Sequence, residues 1–151
     1  MLSDLYKETI LDHNRRPRHF GPLPSANRRA EGANPLCGDR FSIALEVVDD
    51  RIAAIRFEGS GCAISKASAS LMADAVSGRT AQEALALFDR FHAVITGPMD
   101  REGENDDETL GKLAALVGVR EFPIRVKCAT LPWHTLKAAL AGSDRASSEN
   151  P

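Results

Sequence analysis

The chain has 151 residues, 43% hydrophobic and 26% charged, with a formal net charge of −2. That length predicts one domain, able to bury roughly 68–70% of its unfolded surface without a metal or disulfide, and the near-neutral balance argues against a dedicated nucleic-acid binder. No apolar run nears the ~20 residues of a membrane helix, the polar start Met1–Asp12 lacks a secretory apolar core, and three cysteines without a CxxC pair make a poor disulfide framework, so a reduced, cytoplasmic setting is expected.

In chain order, Leu2, Tyr6 and Ile10 recur every fourth residue and predict a helix over 3–13, with Ser3 as its cap. Pro17, Pro22 and Pro24 then break regular structure. The stretch from Asn14 to Asn34 carries Arg15, Arg16, Arg18, Arg28 and Arg29, which reads either as a solvated loop or as a docking surface for an acidic partner. From Arg40 the period becomes two. Phe41, Ile43, Leu45 and Val47 alternate with Arg40, Ser42, Ala44 and Glu46, the pattern of a half-buried strand. Asp49-Asp50 turns the chain into a second strand with Ala53, Ile55 and Phe57 on one face, and Gly59-Ser60-Gly61 ends the hairpin. A third short strand is expected over 30–34.

Helical spacing resumes at Cys62, with Ile64, Ala67, Leu71 and Ala75 on one stripe and Gly78 as the stop. Thr80-Ala81-Gln82-Glu83 is a capping box opening the next helix, lined by Leu85, Phe88, Phe91, Val94 and Ile95 and ended by Gly97-Pro98. An acidic connector over 100–108 leads to a shorter helix over 109–117. A last helix runs over 123–141, where Pro132 predicts a kink or restart. Residues 1–142 form the predicted domain and 143–151 a flexible tail.

The chemistry-bearing residues are the thiols and their neighbours. Cys37 sits in a turn entering the first strand of the hairpin, with Asp39 two residues on. Cys62 opens a helix, where the partial positive charge of the N-terminus lowers a thiol's pKa. The hairpin brings its second end back beside its first, so Cys37, Asp39 and Cys62 can converge. Cys128 lies far downstream; nothing local places it, and Arg125 and Lys127 are expected to depress its pKa. Three thiolates and a carboxylate suit tetrahedral zinc, the carboxylate giving a harder, more exchangeable fourth ligand. Scattered core thiols are the competing reading. His13, His19, His92 and His134 read as surface or satisfied side chains.

Three motifs, Pro35-Leu36-Cys37-Gly38-Asp39, Gly59-Ser60-Gly61-Cys62-Ala63-Ile64-Ser65 and Arg125-Val126-Lys127-Cys128-Ala129-Thr130-Leu131, resemble those of the U-type iron–sulfur assembly proteins. The opening from Leu5-Tyr6 to Asp12-His13, followed by Asn14, Arg16 and Pro17, is similar to that family's N-terminal segment. Lys127 before the third cysteine, Phe122-Pro123-Ile124 upstream of it and the long stretch between Cys62 and Cys128 resemble the SUF-type branch rather than the short scaffold branch.

The resemblance implies a zinc site held by Cys37, Asp39, Cys62 and Cys128, with Cys37 receiving a persulfide from a pyridoxal-phosphate cysteine desulfurase and passing sulfur to a downstream SUF scaffold. Arg125, one helical turn before Cys128, is the candidate catalytic partner, able to pair with Asp39 if the shell rearranges; the competing reading is a surface charge. The alternatives are a scaffold for a transient [2Fe–2S] cluster and an adaptor with a structural zinc. The fold implied is α+β: a small antiparallel sheet of two or three strands, about five helices on one face, and the metal at one end of the sheet.

Overall fold

The computed structural model describes residues 4–34, 38–96, 110–143 and 145–147. Its centre is an antiparallel meander, β1 (Arg28–Asn34), β2 (Asp39–Val48) and β3 (Arg51–Ser60). The third strand expected over 30–34 is therefore present and starts two residues earlier. Asp49 and Asp50 both adopt positive φ (51° and 64°), the conformation of the two-residue turns that match strand twist.

The period-two pattern is realised on β2, where Phe41, Ile43 and Leu45 are buried. On β3 it shifts. A bulge between Glu46 and Val47 lets Val47 face Ile52 while Glu46 faces Ala54, so Ile52 turns inward and Ala53, expected inside, is exposed. Gly59 is required where β3 meets β2: a Cβ there would lie 2.1 Å from the Arg40 carbonyl oxygen.

Among the described residues, five helices cover the inner face: α1 (Asp4–Arg15), α2 (Ala63–Val76), α3 (Ala81–Thr96), a 3₁₀ helix (Gly111–Glu121) and α4 (Pro123–Leu140). Helix α2 is buried on far more than the predicted stripe. Ser65, Ser68 and Ser70 are as deep as Ala67, Leu71 and Met72, whereas Ile64 and Ala75 sit at its margin. Small residues let neighbours close in from several sides. The Ser68 hydroxyl donates to the Ala129 carbonyl of α4 (2.6 Å), and Ser70 bonds to buried His13 of α1 (2.7 Å). His13 is thus satisfied, as expected.

Helix α3 opens on its capping box. Glu83 N–H donates to Thr80 Oγ1 (3.1 Å) and Thr80 N–H to Glu83 Oε1 (2.9 Å). The acidic connector lies outside the described residues. The short helix beyond it is 3₁₀ rather than α and runs to Glu121. Leu110, Leu113, Leu116 and Val119 are all buried, and a spacing of three puts them on one edge only at three residues per turn.

Helix α4 runs through Pro132 without a restart, although Pro132 supplies no N–H to the Cys128 carbonyl. It packs on β1 and β2. A Cβ on Gly32 would lie 1.9 Å from Thr135 Oγ1, so glycine is what allows the approach. Trp133 stacks on Phe88 of α3, with ring centroids 5.6 Å apart.

Where the sequence predicts a flexible tail, Arg145–Ser147 form β4, parallel to β1, giving the order β3-β2-β1-β4. The other face of the meander carries no helix among the described residues and presents Arg29, Glu31, Arg40, Glu46, Arg56 and Glu58.

Candidate metal centre

Three elements end at one point. Asp39 opens β2, Cys62 is the N-cap of α2, and Cys128 lies in the second turn of α4. Their ligand atoms, one carboxylate oxygen and two sulfurs, all lie within 4.8 Å of one another. The register explains the first pairing. Arg40 faces Ser60 across the hairpin, so Asp39 and Gly61-Cys62 occupy its shared end. Cys128 is added because α4 crosses β1 and β2 and is bonded to α2 through Ser68. The set sits at one end of the sheet beside the α2 N-terminus.

Asp39 is 1% exposed, and its side chain is held by a backbone donor: Cys62 N–H donates to Oδ1 (3.0 Å). That fixes the carboxylate plane and leaves Oδ2 4.0 Å from Cys62 Sγ. Gly61 makes the approach feasible. A Cβ there would lie 2.5 Å from Ser65 Oγ and 2.8 Å from Asp39 Oδ1. Ser65 completes the pocket: its N–H donates to Cys62 Sγ (3.5 Å), and its hydroxyl lies 3.6 Å from the same sulfur while donating to the Cys62 carbonyl (3.1 Å). Neither Gly61 nor Ser65 stands out as a site residue in sequence. The signal for Ser65 is its place three residues past a helix cap, where a backbone N–H meets the capping side chain.

The electrostatics separate the two thiols. Cys62 is pushed down to about 5 from the ordinary 9.0, first by the hydrogen bond from Cys128 and then by the Ser65 N–H and hydroxyl, against burial and the Asp39 charge. Cys128 moves the opposite way, driven up by its bond to Cys62, by burial and by the charges of Cys62 and Asp39. The sequence-level expectation that Arg125 and Lys127 depress Cys128 is therefore corrected, because a fully buried thiol beside a thiolate and a carboxylate resists ionising. The pair shares one proton, with Cys62 as the thiolate. Arg125 is exposed, and the Cys62 and Cys128 thiols hold its guanidinium more firmly in the charged form. Its charge is thus directed at the sulfurs.

The donor set fits zinc: two sulfurs and a buried carboxylate, one thiol already biased to thiolate, at a spacing that a small contraction would bring to tetrahedral contact. Cys37 lies outside the described residues, which resume at Gly38 beside the site. The histidines take no part. His134 packs with Phe88 and His92, away from Cys128 on α4.

Comparison with known proteins finds a family and relatives for the chain. Residues 5–129 match the model of the NifU-like N terminal domain. The chain is 42% identical over 145 residues to the iron–sulfur cluster assembly scaffold protein IscU of Streptococcus pyogenes serotype M1, covering 96% of this chain and 88% of that one. It is 39% identical over 141 residues to the zinc-dependent sulfurtransferase SufU of Bacillus subtilis (strain 168), covering 93% and 92%. Among solved structures, FiSufU of the SUF system from thermophilic Fervidobacterium islandicum AW-1 superposes with a TM-score of 0.80 at 34% identity, covering 88% of this chain and 94% of that one. By the extent of the family match and the level of these identities, the chain belongs to the NifU-like N-terminal domain family.

Proposed function

We propose that this protein serves iron–sulfur cluster assembly as a zinc-dependent sulfurtransferase of the SUF type, taking sulfur from a cysteine desulfurase and handing it to a downstream assembly scaffold in a reducing, cytoplasmic setting. The observation that carries the reading is the mixed donor set, Asp39 with Cys62 and Cys128, in which a carboxylate stands where an inert structural site would use a fourth sulfur. The name of the B. subtilis relative agrees with it.

Cys37 is the fourth ligand in this reading and also the sulfur acceptor. Zinc, when bound, keeps the thiols deprotonated and shielded. Transfer itself is a thiol exchange: the Cys37 thiolate attacks the terminal sulfur of the desulfurase persulfide, the sulfur–sulfur bond breaks, and the desulfurase thiolate leaves as Cys37 becomes the persulfide. Atoms, charge and electrons balance without an oxidant. Arg125 faces the thiols and stabilises negative charge on sulfur while the exchange proceeds.

The test combines metal analysis with turnover. Purified protein should carry stoichiometric zinc and stimulate sulfide release by the desulfurase, and Cys37→Ala should abolish the stimulation. Full stimulation by Cys37→Ala sinks the relay. The name of the S. pyogenes relative favours a scaffold for a [2Fe–2S] cluster instead; that reading predicts a visible-absorbing cluster after anaerobic, iron-replete expression. An adaptor with structural zinc predicts that Asp39→Ala lowers Tm and leaves sulfur transfer intact.

A further inference from the structure

The helix-free face of the sheet has an order the metal centre does not use. Cross-strand registry sorts its outward side chains into rows. Arg29, Ala44 and Arg56 form one row, and Glu31, Ser42 and Glu58 the next. On β2 the rows beyond are marked by Glu46 on the first side and Arg40 on the second. Along the strand the signs therefore run minus, double plus, double minus, plus.

None of these six charged side chains forms an ion pair within the chain among the described residues. Arg29 and Arg56 donate to the carbonyls of Leu23 and Phe20 at the rim. A shallow hollow of about 560 Å³ lies over the half of the face that carries Glu31 and Glu58, with Ala33, Ser42 and Gly59 in its lining.

That order is antisymmetric about a line crossing the strands between the two double rows. A two-fold axis lying along this line, parallel to the sheet, lays a second copy face to face on the first. It sets Arg29 against Glu31 of the other copy, Arg56 against Glu58, and Arg40 against Glu46. Every charge meets its opposite. Such self-complementarity is the condition for an isologous contact.

We infer that this protein self-associates through the open face of its sheet, as an isologous dimer held by the Arg29–Glu31, Arg56–Glu58 and Arg40–Glu46 pairs. Four rows ~6.8 Å apart on three strands ~4.8 Å apart give roughly 400 Å² per copy. The total is below the ~1,000 Å² of a stable interface, so the dimer is weak and transient. Exposed charge pairs dominate it, so salt dissolves it. Asp39 lies four residues from the axis, which puts the two metal centres ~27 Å apart at opposite ends. Self-association thus leaves both centres accessible.

The experiment is sedimentation of the zinc-loaded protein at up to about 1 mM, in about 20 mM and then about 0.5 M salt. Two variants accompany it: Glu31→Arg with Glu58→Arg, which makes both central rows positive, and Arg29→Glu with Arg56→Glu, which makes both negative. The wild type is expected to dimerise at low salt and dissociate at high salt. Each variant alone is expected to bind itself more than tenfold more weakly, whereas an equimolar mixture of the two associates at least as tightly as the wild type. Because the mixture reads association of folded chains, and zinc content reports on the distant end of the sheet, misfolding cannot imitate that pattern. A wild type that stays monomeric throughout overturns the inference. So does a dimer indifferent to both variants, which would use another surface, and so does a mixture that fails to associate while both variants retain full zinc.

Discussion

At the scale of single residues, the centre depends on one side chain that is absent. Gly61 has no Cβ, and any Cβ would press on both Asp39 and Ser65. Gly61→Ala should weaken zinc binding at least tenfold in competition titrations, because the carboxylate and the α2 cap must separate. Tm of the metal-free protein should fall by only a few degrees, since the core is untouched. The division of labour between the thiols is a second consequence. With Cys62 held near 5, its thiolate fraction is almost complete at pH 6. In metal-stripped Cys37→Ala protein, the alkylation rate at Cys62 should change less than about twofold between pH 6 and 8, where an ordinary thiol gains about 90-fold. Cys128 should stay unmodified under the same conditions, which peptide mass mapping can check. The sequence singled out Cys37, Asp39, Cys62 and Cys128; Asp39, Cys62 and Cys128 lie together in the structure, and Cys37 lies outside the described residues. It missed Gly61, whose role comes from the space between two elements, and it reversed the sign at Cys128, because the charge that matters there arrives from α2 and β2 rather than from neighbours in the chain.

At the scale of elements, legibility followed how local the governing physics is. The hairpin, the capping box and the starts of α2 and α4 are set by residues within one turn of each other, and all four are present. The inner stripe of β3 depends on the bulge opposite Ala53, which no periodicity of β3 alone reveals. The burial of α2 depends on what surrounds it. Its serines look like a polar face in sequence and lie in the interior because their hydroxyls are satisfied there: Ser68 donates to the Ala129 carbonyl of α4, Ser65 donates to the Cys62 carbonyl, and Ser70 accepts from Arg18 N–H and bonds to His13. The period of three in Leu110, Leu113, Leu116 and Val119 is visible in the sequence and is a sign of 3₁₀ winding that a search at 3.6 residues per turn overlooks. The capping box offers a calibration. Thr80→Ala removes the acceptor for Glu83 N–H at an exposed helix start and should cost about 1 kcal/mol in chemical denaturation, with zinc affinity unchanged.

At the scale of the whole molecule, two imidazoles tie stability to pH. His134 is lowered to about 4, first by burial and then by the charges of His92 and Lys137, and its Nε2 has no hydrogen-bond partner among the described residues. Burial likewise lowers His13. Both are neutral in the fold, and the unfolded chain takes up a proton near 6.5. Their contribution is thus fully present above that pH and is lost as pH falls below it, for His134 toward 4. His134 keeps some contact with solvent, so its share is about 1 kcal/mol. His134→Gln should flatten the decline of stability between pH 6.5 and 4.5 relative to the wild type, as urea midpoints would show. No helix among the described residues is long and apolar enough to cross a membrane.

The hairpin register joins two places that never touch. The Asp49-Asp50 turn lies about 30 Å from Asp39 along strands that rise ~3.4 Å per residue. Sliding β3 by one position against β2 would exchange its inward and outward side chains and carry Gly61-Cys62 out of line with the carboxylate. One extra residue at the turn should therefore empty the candidate metal site from the far end of the molecule. Elemental analysis of the purified insertion variant would read that loss directly, and a retained full complement of zinc would mean that the bulge at Glu46 and Val47 had absorbed the slack.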